Sequence, residues 1–318
     1  MNPDVTRAAL ITAYGEPPVM GQADLPVPGR GQVEITVELA GLNPVDIAIA
    51  SGKFDAGAPD LPYTPGLEGI GRTPDERRVW FDVPALPVGS FAERCVIDEA
   101  RAIELPDGVE PAQAIPFGVA GMAAWLGLQW RGQLKPGETV LILGAGGCVG
   151  QIAVQVARLL GAARVVAATR SERGRRRAAE LGADAVIGTD GSAAELATAF
   201  REATGGGPDL VFDGLWGEPA EAAIASIAFG GRLVQVGNSA GRQSMLAAGP
   251  LRGGLVSILG HRNFHAPFEV QAEAFRSMCS HALAGRLEME LEVLPLKEVA
   301  DAWLLQQQSP GRKLALAP

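Results

Sequence analysis

The sequence predicts an α/β protein in which a doubly wound parallel sheet follows a smaller β domain. In residues 139–150, TVLILGAGGCVG, an apolar β-branched strand runs directly into a glycine-rich turn, and a helical pattern follows. Further apolar strands then alternate with alanine-rich helical stretches, which is typical of parallel strands joined by crossover helices. Residues 1–115 differ, because Pro and Gly punctuate short alternating segments there.

The N-terminal segments have the composition and pattern of an all-β domain. Val33–Leu39 and Phe91–Ile97 alternate apolar and polar residues, which predicts strands of a small barrel. A short helix is predicted from about Val45, directly after Pro44.

Six strands are predicted for the parallel sheet, and two further elements follow it. The six strands are Thr139–Leu143, Arg164–Thr169, Asp184–Ile187, Asp209–Leu215, Arg232–Val236 and Leu255–Gly260. An amphipathic helix, Glu269–Leu283, and a short strand, Arg312–Leu316, are predicted after them. Sheets of this kind bind ligands at the carboxyl ends of their strands, where the winding reverses, so we expect a dinucleotide there.

The turn after the first parallel strand is predicted to cradle a phosphate. A helix N-terminus carries unpaired N–H groups and a partial positive charge, and glycines let a pyrophosphate approach the backbone. The spacing departs from G-x-G-x-x-G, because Gly144 and Gly146 are followed at the third position by Val149, with Gly150 one residue later. A glycine loop that binds nothing is the alternative interpretation of the turn taken alone.

The end of the second parallel strand indicates which dinucleotide is bound. An acidic residue about 20 positions past the cradle would bind the ribose 2′-hydroxyl of NAD, but this chain has Thr169, Arg170 and Ser171 there. A guanidinium with two neighbouring hydroxyls suits a 2′-phosphate, so NADP(H) is the predicted cofactor. The competing interpretation is a solvated helix face, which we accept for most of the basic run 173–177.

Composition excludes several classes of partner and compartment. The chain has 318 residues, 47% of them hydrophobic and 20% charged, with a net charge of −9. This acidity argues against nucleic acid or an anionic membrane surface and favours a small-molecule substrate. Three widely spaced cysteines offer no disulfide framework, and the sequence shows neither a signal peptide nor a membrane span. We therefore expect a cytoplasmic protein.

Several motifs are spread along nearly the whole chain: AGLNPVDIAIASGKF (40–54), PYTPGLEGIGR (62–72), GSFAERCVI (89–97), the run 134–162, AAELGADAVIG (178–188) and GRKLAL (311–316). In this order they resemble the medium-chain dehydrogenase/reductase superfamily, and most closely its zinc-free, quinone oxidoreductase-like branch. The resemblance implies a GroES-like β-barrel catalytic domain, a Rossmann domain, NADPH and a homodimer. It implies an N-terminal catalytic part at 1–115, a Rossmann domain at 116–260 and a C-terminal return to the catalytic domain at 261–318.

The resemblance also implies that the chain binds no zinc. Zinc-dependent relatives have a cysteine where this chain has Asn43, and a histidine followed by glutamate where it has Leu67 and Glu68. They often carry a lobe of four cysteines that is missing here, whereas zinc needs three or four nitrogen, sulfur or oxygen ligands. We therefore predict no metal site.

Positions that match the family identify candidate site residues. Asn43 is the predicted catalytic residue, because its amide can donate to an acceptor oxyanion or orient the nicotinamide ribose. Its other interpretation is a turn residue that caps the helix after Pro44. Glu68 and Asp46 are interpreted as structural, since no basic partner can be assigned to either from the sequence.

The remaining candidates are expected to contact the cofactor. Met122 stands where relatives have a threonine near the nicotinamide, although a core methionine would look the same. The predicted contacts are Asn43, Met122, Gly146, Gly147, Cys148, Val149, Thr169, Arg170, Ser171, Gly237, Asn238 and Arg312.

Together these features predict a zinc-independent, NADPH-dependent oxidoreductase that transfers a hydride to a quinone or an α,β-unsaturated carbonyl. One alternative is a pathway-specific carbonyl reductase or alcohol dehydrogenase of the same superfamily. The other is a nucleotide-binding sensor without turnover, since function belongs to the site rather than to the fold.

Overall fold

The computed structural model of the protein describes residues 4–318, so the first three residues of the predicted segment 1–115 lie outside it. The described chain forms two compact units. The first unit contains the residues up to Val119 and those of Phe275–Pro318, and the second contains Ala120–Ala274. The chain therefore passes from the first unit to the second after Val119 and returns at Phe275.

Strands and helices are named in chain order. The strands are β1 Val5–Leu10, β2 Val19–Asp24, β3 Gln32–Leu42, β4 Glu68–Arg72, β5 Arg78–Asp82, β6 Arg94–Asp98, β7 Ala102–Glu104, β8 Thr139–Leu143, β9 Arg164–Ala168, β10 Ala185–Ile187, β11 Leu210–Asp213, β12 Arg232–Gln235, β13 Ser257–Gly260, β14 Leu291–Pro295 and β15 Lys313–Ala317. The α-helices are α1 Pro44–Ala50, α2 Pro111–Ala114, α3 Val119–Leu126, α4 Cys148–Leu159, α5 Glu172–Glu180, α6 Ala193–Thr204, α7 Gly217–Ser226, α8 Ala248–Gly253, α9 Phe268–Leu283 and α10 Val299–Gln307.

The first unit is organised around the long strand β3. Its sheet has the order β14-β15-β3-β4-β5-β7, and β6 also pairs with β3. All of these pairs are antiparallel except β14 with β15. The order brings the ends of four neighbouring strands, β15, β3, β4 and β5, to one region of the sheet. Leu42 pairs with Leu314, and Gly41 pairs with Glu68.

The core of the first unit combines apolar side chains from this sheet with others from β1, from the segment before β6 and from helix α10. Ile35, Phe81 and Phe91 are fully buried, and Trp303 of α10 packs into the same cluster. Burial of this much apolar and aromatic surface is the main force that holds the sheet and its returning C-terminal segment together.

The second unit is a six-stranded parallel sheet with the order β10-β9-β8-β11-β12-β13. The winding reverses between β8 and β11, so their carboxyl ends form the crevice where such sheets bind ligands. Strands β8, β9 and β11 are buried over nearly their whole length, which explains their continuous apolar sequence. The predicted two-part α/β fold with a doubly wound Rossmann sheet is confirmed.

Several predicted strands are shorter than expected at their carboxyl ends. The strand predicted over Asp209–Leu215 ends at Asp213, whose Oδ1 accepts hydrogen bonds from the backbone of Leu215 and Trp216. Because these two amides bind the Asp213 side chain, they do not bind a neighbouring strand, and the backbone turns. The strand therefore ends at Asp213 even though apolar residues follow it. Strand β14, which pairs with β15, was not predicted from the sequence.

Within residues 4–318, every helix is too short or too polar to cross a lipid bilayer.

Candidate functional site

The turn after β8 is closed by its own backbone. Gly144 has φ of +83°, a conformation that side chains with a Cβ rarely adopt. The backbone N–H groups of Gly144 and Ala145 both donate to the carbonyl of Ala168, at 2.9 and 3.1 Å. The N–H of Gly147 then donates to the carbonyl of Gly144 at 3.1 Å, which leads the chain into α4.

Two glycines of this turn are required by close packing. A Cβ on Gly150, inside α4, would lie 2.2 Å from the carbonyl oxygen of Gly144. A Cβ on Gly146 would lie 2.5 Å from Oγ1 of Thr169. The glycines thus let the start of the helix and the end of β9 approach the turn, as expected for a phosphate cradle.

The turn and the start of α4 contain backbone donors without an acceptor in the described chain. Among residues 4–318, the backbone N–H groups of Gly146 and Val149 have no acceptor. Unpaired amides at the N-terminus of a 12-residue helix, together with its dipole, favour an anion. Gly147 and Cys148, the N-cap and first residue of α4, lie in the same turn.

The end of β9 meets the cradle through small residues. Thr169 is buried, and Ser171 caps α5 by accepting a hydrogen bond from the N–H of Gly174 at 3.0 Å. The space at Gly174 is equally tight, since a Cβ there would lie 3.0 Å from both the Cα of Gly146 and Oγ1 of Thr169. The predicted contacts Gly146, Thr169 and Ser171 are therefore brought together.

Arg170 differs from the other arginines that follow it. Its side chain is exposed, and its guanidinium has no hydrogen bond or ion pair within the described part of the chain. By contrast, Arg175 and Arg176 pair with Glu172 on the surface of α5. Arg177 pairs with Glu180 in the same way. Arg170 can thus receive an anion without losing an ion pair, unlike Arg175, Arg176 and Arg177.

The ends of β11 and β12 lie beside the cradle at the carboxyl edge of the sheet. Asp213 pairs with Leu143 and Gln235, and burial raises the pKa of its carboxyl from 3.8 to about 6. Its Oδ2 is buried and has no partner among the described residues. Gly237 packs against Gly214, where a Cβ would lie 2.9 Å from the carbonyl oxygen.

Two other candidates belong to the second unit. Asn238 is exposed after β12, at the end where a ligand is expected. Met122 is 1% exposed within α3, a helix that is buried at almost every residue. The structure therefore places Met122 inside a core, which leaves its predicted contact with the cofactor untested.

The first unit contains a buried polar cluster centred on Glu68. Its Oε1 accepts hydrogen bonds from Nζ of Lys313 at 2.7 Å and from Nδ2 of Asn43 at 2.8 Å. Its Oε2 accepts hydrogen bonds from Nε1 of Trp80 at 3.1 Å and from the N–H of Val119 at 2.7 Å. Glu68 is fully buried, and these donors satisfy both oxygens of its carboxylate.

The neighbours of Asn43 determine the orientation of its amide. Lys313 carries only donors and lies 2.7 Å from Oδ1, whereas the Glu68 carboxylate carries only acceptors and lies next to Nδ2. Nδ2 also donates to the carbonyl of Gly41 at 3.1 Å. Both amide protons are therefore used inside the protein, while Oδ1 keeps one lone pair.

The side chain of Asp46, in the first turn of α1, binds the backbone at the N-terminus of the helix, whereas the side chain of Asn43 does not cap it. The Asp46 carboxylate accepts hydrogen bonds from the N–H of Asn43 at 2.8 Å and from that of Leu67 at 2.9 Å. Burial raises the pKa of Asp46 to about 7, although these hydrogen bonds and Lys313 oppose the shift. The side chain of Asn43 is thereby released for the cluster around Glu68.

Lys313 is the functional neighbour that sequence reasoning missed. Glu68 was interpreted as structural because it lacked a basic partner, yet the partner comes from the far end of the chain. Arg312, the predicted cofactor contact, is instead paired with Glu292, with 2.5 Å between Nε and Oε2. Strand β15 is buried on both faces from residue 313 to 316, so alternation could not show which of the two basic residues points inward.

Within residues 4–318, no cluster of three or more His, Cys, Asp or Glu side chains is arranged to hold a metal ion.

Known proteins resemble this chain in sequence and in fold. A family model described as zinc-binding dehydrogenase matches residues 148–276, a range without Asn43 or Glu68. Quinone oxidoreductase-like protein 2 of Mus musculus is 29% identical over 323 residues, which cover 97% of this chain and 91% of that protein. The quinone oxidoreductase of Thermus thermophilus, solved alone and with NADPH, matches with a TM-score of 0.80 and 27% identity, covering 98% and 100% of the two chains.

The chain belongs to the medium-chain dehydrogenase/reductase superfamily. Within this superfamily its relatives place it in the quinone oxidoreductase-like branch, so the predicted family is confirmed. The protein is an oxidoreductase of the medium-chain dehydrogenase/reductase type. A segment of a phenolphthiocerol/phthiocerol polyketide synthase of Mycobacterium tuberculosis is also 31% identical over 294 residues, which are 87% of this chain and 13% of that protein.

Proposed function

We propose that this protein is a zinc-independent, NADPH-dependent oxidoreductase that reduces a quinone or the C=C bond of an α,β-unsaturated carbonyl. The observation that carries the proposal is the cradle after β8, which Thr169 contacts at Gly146 and which the exposed Arg170 follows directly in the chain. The relatives named as quinone oxidoreductases support the quinone, and the likeness to part of a polyketide synthase supports an unsaturated acyl compound.

The residues of the second unit fit NADPH. Gly146 and Val149 would offer their amides to the pyrophosphate, because no acceptor within residues 4–318 uses them. Thr169, Arg170 and Ser171 would hold the 2′-phosphate, since a guanidinium binds phosphate with paired, charge-assisted hydrogen bonds. When bound, NADPH supplies the hydride.

The buried cluster of the first unit supports zinc independence. The ammonium of Lys313 lies 2.7 Å from both Asn43 Oδ1 and Glu68 Oε1, so the carboxylate already has its counter-charge. A divalent cation at these oxygens would be repelled by the ammonium of Lys313. The amide nitrogen of Asn43 is no substitute for a cysteine or histidine ligand, because its lone pair is delocalised into the carbonyl.

The hydrogen bonds of the same cluster favour one of the two roles predicted for Asn43. Its amide protons are given to Glu68 and Gly41, so donation to an acceptor oxyanion would first break a buried hydrogen bond. The remaining lone pair of Oδ1 can accept a hydrogen bond from a hydroxyl. We therefore assign Asn43 the orienting role, as an acceptor for a ribose hydroxyl of the cofactor.

We propose that the protein acts as a homodimer through β13. This strand pairs only with β12 among the described strands, so its other edge has unpaired backbone groups. Ile258 is 37% exposed on it, and Leu255 just before it is 62% exposed. A second copy pairing at this edge would bury both. A monomer in sedimentation equilibrium would refute the dimer.

We also propose a cytoplasmic location. The three cysteines form no disulfide, and two of them are buried, as expected for a chain kept in a reducing compartment. Disulfide formation in protein isolated from its native host would contradict this.

The test of the proposed reaction is oxidation of NADPH by metal-free protein against quinones, enones and simple aldehydes, with NADH run in parallel. We expect turnover with a quinone or an enone, reduction of the enone at C=C, and a preference for NADPH. An allylic alcohol as the product would instead favour a carbonyl reductase. Tight NADPH binding without turnover on any acceptor would favour a sensor, and activity that requires added zinc would refute zinc independence.

A further inference from the structure

Glu68 contacts both the candidate catalytic residue and the point where the chain leaves the first unit. One carboxylate oxygen binds Asn43 and Lys313, and the other binds the N–H of Val119, the last residue before the second unit. The contact is close, because a Cβ on Gly118 would lie 1.9 Å from Oε2 of Glu68. A glycine at 118 therefore lets the departing backbone approach the carboxylate.

The returning segment is held by the neighbour of Glu68. Nε1 of Trp80 donates to the same Oε2 at 3.1 Å, which fixes the indole beside the carboxylate. The ring of Trp80 packs against Phe275, the first residue after the return, with 5.4 Å between ring centroids and a tilt of 32°. Both crossings of the chain thus contact the pair formed by Glu68 and Trp80.

We propose that Glu68 is a positioning residue, which couples the orientation of the Asn43 amide to the backbone at the crossing residue Val119. The inference rests on the proposed NADPH-dependent reaction and deepens it. A carboxylate is needed because all four groups around Glu68 are donors, and only a side chain with two acceptor oxygens can bind both pairs.

Replacement by glutamine separates this role from simple space filling. In Glu68→Gln, one oxygen becomes an NH2 group, which meets donors wherever it points. It then disrupts either the pair of Asn43 and Lys313 or the pair of Trp80 and Val119. Since small displacements of positioning groups are costly in catalysis, we expect kcat to fall by about 10- to 100-fold.

The affinity for NADPH should be nearly independent of Glu68. The proposed contacts with pyrophosphate and 2′-phosphate lie far along the chain in that unit, and none of them touches Glu68. The dissociation constant of NADPH, measured by fluorescence titration, should therefore change much less than kcat. The deuterium isotope effect with NADPH labelled at C4 should rise, because hydride transfer becomes more rate-limiting.

Glu38→Gln is the matched control. Glu38 is a partly exposed glutamate of β3 in the same unit, and its carboxylate binds Arg72 and Arg78 on the surface. It contacts no member of the Glu68 cluster, so its kcat and isotope effect should match the wild type. Equal losses in both variants would show a general loss of stability and overturn the proposal.

The outcomes distinguish this proposal from the proposed function. If wild-type protein oxidises NADPH and folded Glu68→Gln retains its kcat and isotope effect, the positioning role is refuted while the function stands. If Glu68→Gln does not fold, Trp80→Phe decides, because it removes one donor to Oε2 and keeps an aromatic ring. A lower kcat with unchanged NADPH affinity in Trp80→Phe supports the coupling, and an unchanged kcat overturns it. Absence of wild-type turnover on every acceptor refutes the function, and the coupling with it.

Discussion

Lys313 and Glu68 form an ion pair whose side chains are 2% and 0% exposed, with 2.7 Å between Nζ and Oε1. They come from the first residue of β15 and the first residue of β4, which both flank β3. Removal of one partner leaves the other as an uncompensated buried charge. The pair therefore ties the C-terminal segment of the chain to the centre of the first unit.

The first prediction concerns this ion pair. We expect Lys313→Met to lower the free energy of unfolding by about 3 to 5 kcal/mol, because the Glu68 carboxylate loses its counter-charge. Arg312→Met is the matched control, since Arg312 pairs with the partly exposed Glu292 and should contribute at most about 1 kcal/mol. Denaturation by urea measures both, and equal losses in the two variants would contradict the prediction.

The second prediction concerns the 2′-phosphate. Arg170→Ala should weaken NADPH binding by about 10- to 100-fold, the range for a hydrogen-bonded charged group of about 1.5 to 3 kcal/mol. NADH binding should stay as it is, because NADH lacks the 2′-phosphate. Arg176→Ala removes an exposed arginine from the adjacent helix and serves as the control. An unchanged ratio of NADPH to NADH affinity in Arg170→Ala would refute the assignment of NADP(H) specificity to this residue.

The third prediction compares two helical glycines. Gly150→Ala forces a Cβ against the backbone of Gly144, so we expect a loss of at least about 2 kcal/mol of unfolding free energy and weaker NADPH binding. Gly253 ends the short helix α8, and a Cβ there would have no atom within 4 Å outside its chain neighbours and the backbone of the helix. Gly253→Ala should therefore gain up to about 1 kcal/mol, because alanine is the better helix former. A thermal melt of each variant distinguishes the two, and a stable, nucleotide-binding Gly150→Ala would show that the close approach is dispensable.

The fourth prediction concerns the pH dependence of Asp213. Its pKa is raised to about 6 by burial, so the folded state holds this proton more tightly than the unfolded chain does. Its contribution to stability is therefore present below about pH 4 and decreases as the pH rises through about 6. Relative to Asp213→Asn, the wild type should lose up to about 3 kcal/mol between about pH 4 and pH 7.

Chemical denaturation at several pH values measures this difference. Asp24→Asn, which removes an exposed carboxylate from β2, controls for the loss of one acidic residue. A difference between wild type and Asp213→Asn that does not change with pH would contradict the shifted pKa of Asp213.

The fifth prediction concerns thiol reactivity at the cradle. Cys148 is the first residue of α4 and is partly exposed, whereas Cys95 and Cys279 are fully buried. Burial raises the pKa of both buried thiols, that of Cys279 to about 12, so neither provides a reactive thiolate at neutral pH. We expect an aromatic disulfide reagent to label one thiol per native chain, and NADPH to slow the reaction.

Two controls complete the labelling experiment. Cys148→Ser should abolish labelling of the native protein, and denaturant should expose all three thiols of the wild type. Rapid labelling that NADPH does not affect would indicate that the nucleotide does not cover the start of α4.

Secondary structure was predicted well where a local sequence pattern is compatible with only one type of element. The strand at Thr139–Leu143 was predicted with its observed bounds, because a β-branched run between a turn and a glycine loop has few alternatives. Strand ends were predicted less well, as at Asp213, where a side chain captures the next amides and ends the ladder. Strand β14 was missed, since its residues alternate between partial burial and exposure and pair in parallel with a segment about 20 residues later.

The candidate site was predictable where its residues are close in sequence. The cradle and the group formed by Thr169, Arg170 and Ser171 lie within one strand-helix-strand unit, so their spacing already brings them together. The cluster around Glu68 was not predictable, because Lys313 and Asn43 are separated by most of the chain. No local sequence pattern indicates which of the two neighbouring basic residues, Arg312 or Lys313, has a buried side chain.

The sequence by itself predicted the fold class and the glycine-rich turn after β8, because these depend on short-range periodicity and on glycines that the backbone requires. It indicated the superfamily through the motifs that resemble it. Only the tertiary structure decided that Asn43 has no amide proton to spare, that Lys313 rather than Arg312 is the buried cation, and that Glu68 holds the crossing residue Val119. The physical reason is burial. A buried polar or charged group must find a hydrogen-bond partner, and its interactions are stronger than in water. In this chain the partners come from segments that are distant in sequence, so only the folded structure identifies them.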